Sequence, residues 1–426
     1  MAHRVRYLNL DGQHGEAITA AKEGLALADC LDHAPARSRF LAQIGLAHYF
    51  LGQPQPALTV LESALTVAGE EADPEVRGRI TRILGYVHLH LGGYTRALAY
   101  KQEAYTCHQA VGDHNRMAWD GLNIGFLHLK LGHFAEAKRH LAESLALARQ
   151  IGARPAQAYG LTYLGYWELY RGHYAAAADR FRQALPEQQA VHSKHGMEAA
   201  EGGLGLALHR LGDLAEARRW LESAVERSRS VSHCRCLPEV LIRLGLVELA
   251  DGHPLTAHRC LTEAVELARA SECRENLAAG LAALARAERQ RGDPASALSH
   301  AREAARVAQE IGLPVCQMWG EMEDGLALLA QGQPVAALEH TGRAVALVPQ
   351  ASEGLPMSTP AEYASFLIRL WREGSADLPE PAADWHSEVE HIQTGRRWTF
   401  STLDELLGFL RRQAEGPDVL RPPAGE

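Results

Sequence analysis

Apolar and polar positions along the chain follow a helical rhythm broken at short intervals. In AYGLTYLGYWELYRG, residues 158–172, apolar side chains recur at Leu161, Leu164, Trp167 and Leu169, roughly the spacing of one helix face. Gly172 stops the run, because glycine enters the left-handed conformation that helix ends use without steric cost. HYAAAADRFRQAL then starts a second run, with Ala177 and Phe181 one turn apart on the same face. The pattern predicts two helices joined by a tight turn. Gly165, lacking a Cβ, lets the second helix approach the first closely.

This unit is copied along the chain. Gly12, Gly52, Gly92, Gly132, Gly172, Gly212, Gly252, Gly292 and Gly332 are spaced by 40 residues without a slip. A second ladder holds Gly45, Gly85, Gly125, Gly165, Gly205, Gly245 and Gly325, with Ala285 in the one gap. A third is alanine throughout, from Ala17 to Ala337. Three small-residue ladders in one register predict about nine helical hairpins that bury their apolar faces by stacking on one another, a solenoid. Pro54, Pro254, Pro294 and Pro334 sit where a first helical turn has a spare N–H. Tyr94, Phe134, Tyr174 and Leu214 take that phase elsewhere. Loop signals between units fall at Asp73-Pro74, Gly112-Asp113, Gly152-Ala153 and Gly312 with Pro314. Pro186 lies inside a predicted helix and is expected to end or kink it.

The recurring L-x-x-[LI]-G-x-x-[HYE], followed by A-x-x-x-[LF], resembles the tetratricopeptide repeat. Leu41, Ile44, Gly45, His48, Ala57 and Leu61 carry it in one unit, and Leu161, Leu164, Gly165, Ala177 and Phe181 in another. The family's common repeat is about 34 residues, whereas this period is 40. Long repeats of this kind resemble those of bacterial MalT-like and signalling-ATPase regulators and of peptide-binding adaptors. The resemblance implies an all-α right-handed superhelix whose first helices line a concave groove for a protein or peptide.

The character of the chain changes near its end. Residues 361–371 read as a partial tenth first helix, which would extend the superhelix over 1–375, and 376–384 read as a linker. Glu388–Ile392 and Arg397–Phe400 are β-like runs around a Gln393-Thr394-Gly395-Arg396 turn. Thr402–Glu405 is a capping box, followed by a Leu403, Leu406, Leu407, Leu410 face. Residues 385–414 are therefore expected to form a small ββα appendage, and 415–426 a disordered tail.

Composition narrows the function. A net charge of −9 disfavours nucleic acid as the main partner. The absence of an apolar leader in MAHRVRYLNLDG and of an 18-residue apolar run leads to an expectation of a cytoplasmic protein away from membranes. No phosphate-binding loop, nucleophile elbow, zincin motif or dinucleotide fingerprint occurs in the sequence. The expectation is a non-enzymatic protein with no cofactor. His233, Cys234 and Cys236, with His258, Cys260 and Cys273 downstream, lack the usual C-x2-C spacing of zinc sites, and read as reduced thiols and ordinary histidines. His48, His88 and His128, continued by Glu168, Glu248 and Glu288, stand at the repeat's tyrosine packing position rather than as a metal ladder.

The candidate groove residues lie one helical turn either side of each Leu/Ile-Gly pair. Units three to five place Arg79, Arg82, Tyr86, His90, Trp119, Leu122, Asn123, Phe126, Lys130, Tyr159, Tyr166 and Tyr170 there. Units seven and eight place mostly Ile242, Leu246, Leu249, Ala279 and Ala282, with Arg286 and Arg289. Aromatics interleaved with cations suit a ligand with apolar anchors and acidic groups. Arg82 and Asn123 match the carboxylate clamp of some family members, but Tyr86, Tyr159 and Tyr163 stand where other polar clamp residues belong. The expected function is a peptide- or protein-binding scaffold or sensor. The alternative is a sensor arm separated from a larger signalling ATPase or transcription regulator.

Overall fold

The computed structural model describes residues 1–69, 72–229, 236–352, 366–372, 385–391 and 397–400. Among the described residues, eighteen helices pair into nine antiparallel hairpins. The first four pairs are α1 (Ala2–Leu10) with α2 (His14–Cys30), α3 (Ala34–Phe50) with α4 (Pro54–Ala68), α5 (Pro74–His90) with α6 (Tyr94–Ala110), and α7 (His114–Lys130) with α8 (Phe134–Gln150). The middle three are α9 (Arg154–Tyr170) with α10 (Tyr174–Ala190), α11 (Lys194–Arg210) with α12 (Leu214–Arg229), and α13 (Leu237–Ala250) with α14 (Pro254–Ala270). The last two are α15 (Arg274–Gln290) with α16 (Pro294–Glu310), and α17 (Pro314–Ala330) with α18 (Pro334–Ser352).

The turns explain the period. In repeat four, two helices of 17 residues each are followed by a three-residue break. After α7, Gly132 N–H donates to Leu129 O and His133 N–H to His128 O, closing the helix around a Gly132 φ of +80°. The break after α8 repeats this at Gly152, φ +68°. From Gly92 to Gly212 the turns within and between hairpins therefore share one shape, whereas the α4–α5 break departs from it with Gly69 at φ +76°, ψ 177°. Left-handed residues follow every 20 positions through Gly112, Gly132, Gly152, Gly172, His192 and Gly212. Asp32, His192 and Glu272 hold this conformation without being glycine, with φ of 45°, 52° and 55°. The glycine ladder showed only half of the backbone repeat.

The second ladder is set by close approach. A Cβ at Gly245 would lie 2.6 Å from Leu261 Cγ, and one at Gly165 2.7 Å from Phe181 Cε1. Where Ala285 replaces the glycine, the facing residue is Ala301 instead of leucine, and both stay buried. Burial of one such leucine contributes about 1.5–3 kcal/mol. Apart from α5 and α7, successive odd-numbered helices pack on one another as well as on their hairpin partners, whereas even-numbered helices pack substantially only on their chain neighbours. The odd helices thus form the tighter, inner layer, as the repeat pattern implied.

Two expectations fail. Helix α10 runs on through Pro186 to Ala190. Pro186 is exposed, so water can serve the carbonyl it leaves without a donor, while Ala184 and Gln188 on either side stay buried and hold the helix. The partial tenth helix is a strand instead. Within a separate unit, Met357–Glu426, three strands form an antiparallel sheet in the order β1 (Phe366–Arg372), β2 (Trp385–His391) and β3 (Arg397–Phe400). Ile368 pairs with Val389, and Val389 with Trp398. FLIRLWR is rich in residues that favour strands, and a partner strand in register overrides its helical spacing. The expected ββα appendage is not supported. Its helix over 402–414, the linker over 376–384 and the tail over 415–426 lie outside the described residues.

The inner face of repeats three to five

Helices α5, α7 and α9 bring most of the sequence-predicted groove residues together as two sets of ring contacts bridged by Asn123. Tyr86 stacks on Tyr49 at 6.1 Å between centroids, and His90 meets Tyr49 edge-on at 6.3 Å. Asn123 Nδ2 donates to Tyr86 Oη at 3.3 Å and to the Trp119 carbonyl at 2.7 Å. Trp119 packs on Tyr159 at 5.0 Å, Tyr159 on Tyr163 at 6.1 Å, and Tyr163 on Phe126 at 4.8 Å. Phe126 then meets Tyr166 at 6.1 Å, and Tyr166 meets Tyr170 at 6.4 Å. Burial raises the phenol of Tyr86 and pushes those of Tyr159 and Tyr166 to about 12, so these hydroxyls stay protonated donors.

The cations divide. Arg79 is ion-paired with Glu75 at 2.8 Å, one turn away on its own helix. Arg82 lies with its guanidinium carbon 5.9 Å from the Tyr86 centroid, and its Nε is buried with no hydrogen-bond partner among the described residues. Lys130 sits 5.5 Å from both the Phe126 and Tyr170 ring centres and is paired with Glu275 at 2.8 Å. Burial disfavours its charge, but Glu275, Tyr170 and Tyr94 around it outweigh burial and raise its pKa. Lys130 is therefore committed inside the molecule rather than open to a ligand.

Glu275 belongs to repeat eight, which brings distant turns together. Tyr94 also donates to Glu275, and His90 Nε2 lies 2.6 Å from the Ser271 carbonyl oxygen. A Cβ at Gly92 would meet Ile311 at 3.3 Å, and Leu313 packs on the Tyr94, Ala97 and Leu127 cluster. The solenoid thus curls until repeats three and four touch repeats seven to nine. A cavity of about 430 Å³ lies in this seam, lined by Leu58, His88, Tyr94, Arg96 and Ile311 among others.

Several residues of the site were missed in the sequence. Lys101 stands where Leu61, Leu141, Phe181, Leu221 and Leu261 occur in other repeats, yet it is fully buried. Its Nζ lies 3.0 Å from the Tyr86 ring centre and donates to the Arg82 carbonyl at 2.9 Å. Burial pushes its pKa well below the usual lysine value, Asp120 opposing and Arg82 reinforcing the shift. Behind it, His108 Nδ1 and Asp120 Oδ2 meet at 2.6 Å with both side chains fully buried. Arg243 of repeat seven donates to Tyr166 Oη at 3.2 Å and is also paired with Glu239. Lys101 was legible as the one basic residue in its ladder. Glu275 and Arg243 gave no local signal, because their partners are fixed only by curvature summed over several repeats.

Three members of the histidine and glutamate ladder act within single turns, whereas Glu288 reaches His300 at 2.8 Å. His48 reaches Gln53 at 2.7 Å, Glu168 reaches His173 at 2.9 Å and Glu248 reaches His253 at 3.3 Å. Each clasps the turn that follows its helix. His88 instead stacks on Tyr100 at 5.3 Å. His233 and Cys234 lie outside the described residues. His258, Cys260 and Cys273 join no group of three possible ligands among the described residues.

The sequence profile of the tetratricopeptide repeat matches residues 77–150 and 196–270. Over these two stretches the chain carries tetratricopeptide repeats. A profile described as anaphase-promoting complex subunit 5 matches residues 37–77, about one repeat. No curated protein matches in sequence. Among solved structures, a Rap protein complexed with competence and sporulation factor is 12% identical with a TM-score of 0.64, covering 83% of this chain and 98% of that one. The Rap conjugation gene regulator of plasmid pLS20, in complex with the Phr* peptide, is 15% identical with a TM-score of 0.56, covering 84% and 99%. Aspartyl phosphate phosphatase F from Bacillus subtilis is 10% identical with a TM-score of 0.52, covering 83% and 94%. At these identities the likeness is one of fold: an all-α tetratricopeptide solenoid. No helix among the described residues is long and apolar enough to cross a membrane.

Proposed function

We propose that this protein is a non-enzymatic peptide-binding sensor or scaffold whose ligand docks on the inner face of repeats three to five. The observation that carries the reading is the run of rings from Trp119 to Tyr170, joined to Tyr86 through Asn123 and edged by Arg82, whose Nε has no hydrogen-bond partner among the described residues. Rigid aromatics and arginine are the side chains that anchor protein ligands most strongly. Two proteins of similar fold carry peptides or signalling factors in their solved complexes, which supports the same use of the groove here. The ligand fits as an extended peptide with apolar side chains over Trp119, Phe126 and Tyr159 and an acidic group at Arg82. Arg79 and His90 border that end, Asn123 holds Tyr86 in place, and Tyr166 and Tyr170 close the other end.

The test is mass spectrometry of peptides that co-purify with the full chain from its native host, comparing wild type with the Arg82→Glu, Phe126→Ala double variant. A peptide that binds wild type in titration, and the variant about tenfold or more weakly, is the expected outcome. Equal affinity for both proteins would remove the groove from this placement. Turnover of aspartyl phosphate by the purified chain would overturn the non-enzymatic reading.

A further inference from the structure

Away from the groove rings, three side chains of different chemistry converge where repeats six and seven meet. His195 lies in the first turn of α11 and Glu198 follows three residues on, so both share one face. Cys236 is the N-cap of α13, the neighbouring inner-layer helix. The ligating atoms of His195, Glu198 and Cys236 all lie within 4.8 Å of one another, and no other such group of three occurs among the described residues. Glu198 is fully buried, and its Oε2 is 3.1 Å from His195 Nδ1. His195 is half exposed, which leaves the site a path to solvent.

We propose that His195, Glu198 and Cys236 form a binding site for a zinc-like divalent transition metal ion. Zinc bonds of about 2.0–2.3 Å arranged tetrahedrally set donor separations of about 3.4–3.8 Å. Donors already within 4.8 Å reach that by small side-chain rotations. Imidazole, carboxylate and thiolate together select zinc, cobalt or their neighbours over magnesium and calcium, which take oxygen donors. Binding replaces the thiol proton: Cys236 S–H becomes a Cys236 S–metal bond and one proton is released to solvent. Carboxylate and thiolate then supply two negative charges against the ion's two positive ones. The fourth position, on the exposed His195 side, is open to water or to a ligand donor.

The backbone around the site is held independently. Ser193 Oγ accepts from Gly196 N–H at 3.1 Å, capping α11, and donates to Tyr159 Oη at 3.4 Å. An ion here would clasp the starts of α11 and α13 one contact away from the ring of Tyr159. The assignment does not depend on the groove having a peptide ligand.

The experiment is titration of the reduced, metal-free full chain with cobalt(II), followed by displacement with zinc. One equivalent should produce a thiolate-to-cobalt charge-transfer band, visible tetrahedral transitions and the release of one proton. Cys236→Ser should abolish the charge-transfer band, and His195→Ala and Glu198→Gln should each weaken binding by about tenfold or more. Cys260→Ser should leave all three signals intact. Absence of the band, its survival in Cys236→Ser, or its loss in Cys260→Ser would overturn the site. Circular dichroism of each metal-free variant separates lost binding from lost folding.

Discussion

Repeats three and seven share one scaffold and differ in what fills it. In repeat seven, Leu261 seats against Gly245, and the positions behind it are Ala268 and, in the next helix, Gly280. In repeat three the same places hold Lys101 against Gly85, with His108 and Asp120 behind. One is an aliphatic joint of the kind the family pattern specifies. The other buries an ammonium under a tyrosine of the inner face, beside an imidazole–carboxylate pair. A buried charge is weak evidence of stability, because removing it from water costs more than most pairings return. Repeat three therefore retains a costly arrangement that repeat seven avoids, and the cost falls directly beneath the ring at one end of the proposed groove.

Exchanging the two fillings tests this contrast. Leu261→Lys should have the largest effect, a local loss of about 3–5 kcal/mol, since repeat seven offers no counterpart of Asp120. Hydrogen exchange over α13 and α14 would show it, and unchanged protection there would contradict it. Lys101→Leu should leave repeat three as stable or up to about 1–4 kcal/mol more stable. The same substitution should disturb the absorption of Tyr86, whose ring the ammonium faces at 3.0 Å. A loss of protection in α5 and α6 would instead mean that Lys101 earns its place structurally. The smallest effect is in pH. The folded pKa of Lys101 lies below its ordinary 10.5. Its stability penalty is therefore complete below the folded pKa and fades as pH climbs toward 10.5, because the folded state releases the proton first. The stability gap between Lys101→Leu and wild type should narrow over that climb. A constant gap would show that Lys101 titrates normally.

The two regions also mark how far the sequence could be read. The ladder of Gly45, Gly85 and their successors, with Ala177 and its fellows, specified the hairpin, the inner helices and the buried joints, because each is a contact between residues a fixed distance apart in the chain. The strand at Phe366–Arg372 was misread as a helix because FLIRLWR suits either, and pairing with β2 decided it. Of the groove residues, the aromatic ones were placed by periodicity and meet as rings. The periodicity places Lys130 among the ligand contacts, and the structure pairs it with Glu275, 145 residues away. No local pattern encodes that partner. It follows from small rotations accumulating over four repeats until the chain meets itself.

The identical turns within and between hairpins have a consequence for how this chain tolerates length changes. From Gly92 to Gly212 geometry treats every 20 residues as equivalent, but chemistry alternates: glycine-bearing helices belong inside and alanine-bearing helices outside. Loss or gain of one helix with its turn would leave each junction well formed while exchanging inner and outer roles for everything downstream. Loss or gain of a pair would leave those roles untouched. The molecule therefore carries a parity rule, in which even steps of helix number are silent to the fold and odd steps turn it inside out.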